Sequence, residues 1–181
     1  MSTPTGTIEQ HDGRFDLVLT RQLAAPVEDV WAAVTEPERL ARWIGTWDGD
    51  PASGSVQFRM LFEGGSPAET MTIRACEPPH RLHLTSNVGA EVWLLDVDLT
   101  HVDGVTTLTL RQLDVTAEQA PDVGPGWDYY LDRLVDAETG ADPARRDFER
   151  DYYPATAGHY TAQYDLAAAA ADPHRSRPAT G

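Results

Sequence analysis

Six histidines, one cysteine and scattered serines and carboxylates are the residues of this 181-residue chain with the types to do chemistry. A metal site would draw on His11, His80, His83, His101, His159, His174 and Cys76. No two of the histidines form an HExxH pair on a helix, and Cys76 has no CxxC partner, so neither a metal nor a cofactor is expected. Nucleophilic catalysis fares no better: Ser53, Ser55, Ser66 and Ser86 stand outside any G-x-S-x-G elbow. Gly64-Gly65 and Gly124-Pro125-Gly126 lack the further glycines and the lysine of a phosphate-cradling loop. Acid–base work would fall to Glu63, Glu69, Glu91 or Tyr130, since a carboxyl or phenol in an apolar cavity has a raised pKa. Strand-end acids are ordinarily solvated, however, and the sequence assigns no catalytic residue.

The aromatic residues say more. Trp31, Trp43, Trp93 and Trp127, with Phe58, Met60 and Phe62, supply more large apolar faces than a thin sheet–helix interface needs. Methionine and aromatic side chains line adaptable ligand pockets, although any one of them alone is more simply core. Arg21, Arg59, Arg74 and Arg111 fall on strand segments. One turned inward could meet an acidic ligand group, and a solvated sheet face is the plainer reading for each.

The elements that would position these residues follow from periodicity. Trp127, Tyr130, Leu131, Leu134 and Val135 recur at helical spacing, which predicts a helix over 126–138 with one bulky apolar stripe. Asp128, Asp132, Arg133 and Asp136 take the opposite face, where substitution is expected to cost little. Gly140 and Pro143 mark its end. Upstream, Phe15–Leu23 alternates as a strand, Pro26 opens a helix carrying Val27, Val30, Trp31 and Val34, and Pro37 opens a shorter one with Leu40, Trp43 and Ile44. From Trp47 the pattern is strand: Val56, Phe58, Met60 and Phe62 on one face, then Met71, Ile73 and Ala75, then Leu82 and Leu84. Trp93, Leu95, Val97 and Leu99 follow, and finally Leu108 and Leu110 after an Asp103-Gly104 hairpin turn. Pro121, Gly124 and Pro125 are expected to interrupt the chain before the long helix.

Those motifs resemble a known family. Ala25-Pro26 with Val30-Trp31, then Pro37-Glu38-Arg39-Leu40 and Trp43, resemble the opening of the START/SRPBCC superfamily. Glu77-Pro78-Pro79-His80-Arg81-Leu82 and Gly126-Trp127 with Leu131 and Leu134 resemble the branch named for the activator of the heat-shock protein 90 ATPase. The likeness spans 15–137. It implies an α+β helix-grip domain, a curved antiparallel sheet of about six to seven strands around a long C-terminal helix, with two short helices after the first strand. It also implies a hydrophobic pocket between sheet and helix, but no shared activity, since members include binders, cyclases, stress regulators and a co-chaperone domain.

The expected organisation is a flexible N-terminal arm over 1–13, the helix-grip domain over 14–140, and an extension over 141–181 that is partly helical and then disordered. The expected ligand-binding set is Phe58, Met60, Phe62, Met71, Trp93, Leu95, Leu108, Trp127, Tyr130, Leu131 and Leu134. The expected function is binding of a hydrophobic, lipid- or polyketide-like small molecule. The alternatives are a cyclase- or dehydratase-like enzyme and a protein-interaction module. A net charge of -15 argues against nucleic acid and anionic membrane as partners. One cysteine and no apolar run near 18 residues fit a soluble cytoplasmic protein. Tyr152, Tyr153, Tyr160 and Tyr164 in the extension are expected to pack on the domain itself, a lid, a homodimer contact or a protein partner being the sharper reading.

Overall fold

The computed structural model describes residues 2–88 and 91–171, without the side chain of Val88. Eight strands form one antiparallel sheet: β1 (Thr7–His11), β2 (Arg14–Leu23), β3 (Gly45–Asp48), β4 (Ser55–Met60), β5 (Glu69–Glu77), β6 (Arg81–Val88), β7 (Glu91–Val102) and β8 (Val105–Leu113). Their spatial order is β1-β2-β8-β7-β6-β5-β4-β3. Two short helices, α1 (Val27–Thr35) and α2 (Pro37–Leu40), follow β2, and the long helix α3 (Ala120–Thr139) follows β8. The extension adds α4 (Phe148–Asp151) and α5 (Ala157–Ala171). This is the α+β helix-grip architecture, with a curved sheet wrapped around one long helix and a strand more than expected.

The extra strand lies in the segment read as a loose arm. Thr7–His11 has a single apolar residue, Ile8, so it carries no alternation of its own. It pairs instead along the edge of β2, Ile8 opposite Leu17, with Ile8 buried. Residues 141–171 hold a short 3-10 turn (Pro143–Arg145), α4 and α5, joined by non-helical stretches. His174–Gly181, read as disordered, lies outside the described residues.

The long helix also begins earlier than its glycine and prolines suggested. Thr116 and Gln119 form a reciprocal cap: the Thr116 N–H donates to Gln119 Oε1 (3.0 Å), and the Gln119 N–H to Thr116 Oγ1 (3.3 Å). Pro121 sits in the first turn, where a missing N–H costs nothing. Pro125 is tolerated inside the helix. At the other end Gly140 takes φ 79°, and its N–H and that of Ala141 both return to the Asp136 carbonyl, ending the helix where expected.

α1 and α2 close one end of the sheet. Trp43 donates its indole N–H to the Ala33 carbonyl (3.0 Å), and Trp47 to that of Thr35 (2.8 Å). Arg39 and Arg42 reach across to Glu138 and the Ala137 carbonyl, placing cations at the C-terminal end of α3, where the helix dipole favours them.

Candidate functional site

Alternation puts one face of every strand from β4 to β8 toward α3. Val56, Phe58 and Met60 come from β4, Met71 and Ile73 from β5, Leu82, Leu84 and Ser86 from β6, Trp93, Leu95 and Val97 from β7, and Leu108 and Leu110 from β8. In β5 the register shifts between Ile73 and Ala75, a bulge that reverses the alternation. Cys76 therefore faces the helix where Ala75 was expected to.

α3 packs closely against β2, but a straight helix cannot follow a twisted sheet across its width. A cavity of about 500 Å³ remains between α3 and strands β4–β8. Its wall is mostly hydrocarbon and aromatic. Nine of the eleven expected residues line it: Phe58, Met60, Met71, Trp93, Leu95, Leu108, Trp127, Tyr130 and Leu131. Two do not. Phe62 lies beyond the end of β4, 41% exposed, with the Arg133 guanidinium 3.8 Å above its ring. Leu134, one turn further along α3, is filled in completely by core. Sequence reasoning missed Trp47, Val34, Val123 and the loop residues Ser66 and Pro67, which also border the space. Trp47 was in view as the start of the strand pattern, and its edge-strand position opposite Phe58 brings it in.

Of the four arginines weighed for an acidic ligand, none lines the cavity. Arg21 turns to the far side of α3, Arg59 is exposed, and Arg74 and Arg111 pair with Asp96 and Asp98 on the outer face of the sheet. His83 joins that outer layer half-buried, its Nε2 3.2 Å from Asp98 Oδ1.

Two of the acid–base candidates meet at the mouth. The Tyr130 hydroxyl donates to Glu63 Oε1 (3.0 Å), joining α3 to the loop after β4. Burial, then the charge of Glu63, pushes the Tyr130 phenol far above its usual range, so it stays a protonated donor. Glu69 lies beside Ser86, whose hydroxyl donates to it (3.4 Å). Glu91 instead accepts from the Trp93 indole (3.1 Å) and the Gln119 amide, near the start of α3.

The back of α3 departs most from expectation. Asp128, Arg133 and Asp136 are 1%, 4% and 1% exposed. The N-terminal segment, β2 and the extension cover them. Arg21 forks between Asp128 Oδ1 and Asp132 Oδ1, both at 2.8 Å. Arg145 and Arg146 both clamp Asp136. Burial works against the Asp136 carboxylate, yet hydrogen bonds from Arg146 and Arg145 prevail and hold its pKa at about 2. Tyr152 donates to Asp132 (2.7 Å), and burial followed by that bond pushes its phenol up to about 12. Tyr160 is fully buried and donates to Asp128.

The profile of the family described as "Activator of Hsp90 ATPase homolog 1-like protein" matches residues 24–137. The chain belongs to this family. α1, α2, strands β3 to β8 and all but the last two residues of α3 fall inside the match, whereas β1, β2 and the clamped extension lie outside it. CalU16 from Micromonospora echinospora has the same fold. Its solution structure superposes with a TM-score of 0.69 at 21% identity, over 91% of this chain and 96% of that one. EF2215 from Enterococcus faecalis matches at 0.65 and 18% identity, over 90% and 91%. DynU16, a protein in the dynemicin biosynthetic locus, matches at 0.61 and 27% identity, over 71% of this chain but 49% of its own. No curated protein matches the chain.

Proposed function

We propose that this protein is a cytoplasmic binding protein for a hydrophobic small molecule, lipid- or polyketide-like, held between the sheet and α3. The observation that carries the reading is the cavity of about 500 Å³, a volume typical of sites for ligands of drug or lipid size. An apolar space of that volume left empty forfeits dispersion contacts that a ligand would restore. Each CH₂ buried contributes ~0.8 kcal/mol, so about ten methylenes reach roughly micromolar affinity without an ion pair. The likeness to DynU16 supports a natural-product ligand, because that protein belongs to a biosynthetic locus. Among the described residues, no helix is long and apolar enough to cross a membrane.

The test is a fluorescence titration with Nile red, a neutral apolar dye, together with native mass spectrometry of freshly purified protein. Saturable dye binding at one site, or a co-purifying small molecule, is expected. A folded protein that binds no dye and carries no adduct would overturn the reading in favour of a protein-interaction module.

A second reading rests on the Glu63–Tyr130 pair, which puts a carboxylate and a neutral phenol side by side at the cavity mouth. Such a pair suits the proton transfers of a cyclase or dehydratase. Turnover of a β-polyketone substrate, lost in Tyr130→Phe, would establish it; unchanged substrate in the presence of wild type would dismiss it.

A further inference from the structure

We infer that the cavity selects a ligand whose polar end is a hydrogen-bond donor, cationic or neutral, and rejects carboxylates. This deepens the proposed binding function and rests on it.

The first observation is the state of the donors. Four tryptophans border the space, and each indole N–H is already given to the protein: Trp43 to Ala33 O, Trp47 to Thr35 O, Trp93 to Glu91 and Trp127 to Gln112 Oε1 (2.7 Å). The hydroxyls are spent as well. Thr35 donates to Trp31 O, Ser66 to Glu63 O, Ser86 to Glu69 and Tyr130 to Glu63. Among the described residues, the weak thiol of Cys76 is the one other side-chain donor on the wall. What remains for a ligand is acceptor capacity, the free lone pairs of carboxylates and hydroxyls.

The second observation is the sign of the charge. Among the described residues, every ionised side chain on the lining is acidic: Glu63 and Glu69 flank the loop between β4 and β5, and Asp122 stands on the first turn of α3. Arg59, Arg74 and Arg111 of these strands turn elsewhere, as described above, and Arg81 of β6 pairs with Glu77 and Asp98. A fatty acid entering here would bring its carboxylate beside glutamates with no cation on the lining to meet it: Arg133, which approaches Tyr130 from outside the wall, is stacked on Phe62 and donates to Trp43 O, the Tyr129 hydroxyl and Pro143 O. An amine would find them as partners, and an alcohol would find acceptors. The chain's net charge of -15 biases encounter the same way. A ligand would lie with its hydrocarbon under Trp93, Leu95 and Leu108 and its donor at Glu63 and Glu69.

The experiment displaces Nile red from the intact protein at pH 7.5 with three probes of one chain length: n-decylamine, n-decanol and sodium decanoate. The amine is expected to displace at a concentration at least about tenfold below the carboxylate, with the alcohol between, as opposite and like charge at a half-exposed site require. In the isosteric double variant Glu63→Gln/Glu69→Gln, which keeps acceptors for Tyr130 and Ser86, the amine-to-carboxylate ratio should fall toward one. Equal displacement by all three probes, or a carboxylate preference, overturns the inference and leaves the cavity reading standing. A ratio that persists in the double variant also overturns it, by assigning the preference to net charge. Failure of Nile red itself to bind removes the cavity reading, and this inference with it.

Discussion

The two faces of α3 solve the same problem in opposite ways. Toward the sheet, Trp127, Tyr130 and Leu131 meet a surface they do not fill, and space is left over. Away from it, Asp128, Asp132 and Asp136 are covered by segments from both ends of the chain, and their oxygens are taken up by Arg21, Arg145, Arg146, Tyr152, Tyr160 and Thr5. The apolar face is the more tolerant one. A methyl more or less changes a cavity that is already incomplete, whereas a lost partner on the polar face strands a buried charge. Capacity for a ligand and sensitivity to substitution therefore sit on opposite sides of one helix.

Breaking the polar face should produce the largest effect. Arg21→Ala or Asp128→Ala is expected to destabilise by ~3–5 kcal/mol, since each strips the other of its buried charged partner. Trp127→Ala on the sheet side should fall below the ~3–5 kcal/mol of a fully buried aromatic, because Trp127 is only partly buried. Urea denaturation of the three variants orders them. A Trp127 variant weaker than the Asp128 variant would reverse the comparison.

Gly124 gives a smaller and more local effect. A Cβ there would lie 2.3 Å from atoms of the Tyr160 ring, and one at Gly6 would lie 2.6 Å from it, so the two glycines form the slot in which α5 is seated. Gly124→Ala gains up to ~1 kcal/mol of helix propensity but overpacks at a cost of ~1–3 kcal/mol. A net loss of about 1–2 kcal/mol is expected, together with faster amide exchange confined to α5. Unchanged exchange in α5 would mean that Tyr160 is not held there.

The clamp on Asp136 titrates. Its folded pKa of about 2 lies below the ordinary 3.8, so its contribution is present above pH ~4 and is lost as pH falls from there toward 2. The size is on the order of 2 kcal/mol. Protease sensitivity of residues 141–171 should rise across that interval while the sheet keeps its circular dichroism. In Asp136→Asn this pH dependence should be absent.

The contrast also sets what the sequence could disclose. The apolar stripe of α3 was legible because Tyr130, Leu131 and Leu134 repeat at 3.6, and six of the nine cavity residues were legible because strands alternate. The far face was not, because aspartate at helical spacing looks the same in water as against an arginine 107 or 111 residues away in the chain. β1 escaped for a related reason: its pairing is supplied by β2, not by its own pattern. The bulge at Arg74 was invisible too, so Ala75 was read inward where Cys76 belongs. Periodicity reports an element's own preference, and it is silent where a distant segment decides.

The smallest effect on stability should accompany a large effect on binding. Met60 lines the cavity from β4 and is half-buried. In Met60→Trp the indole enters existing space, so the usual ~1–3 kcal/mol overpacking cost is not incurred, and a change below ~1 kcal/mol is expected. Nile red affinity should nevertheless fall by about tenfold, because the lost volume is the volume the dye occupies. The same substitution pushed into the filled region, Leu134→Trp, has no room: Leu134 is wholly buried by core. It should destabilise strongly. Denaturation midpoints and dye titrations on the two variants separate cavity from core along a single helix–sheet interface. Equal destabilisation by both would mean that the space beneath β4 is closed in solution, and the difference between the two ends of the stripe would vanish.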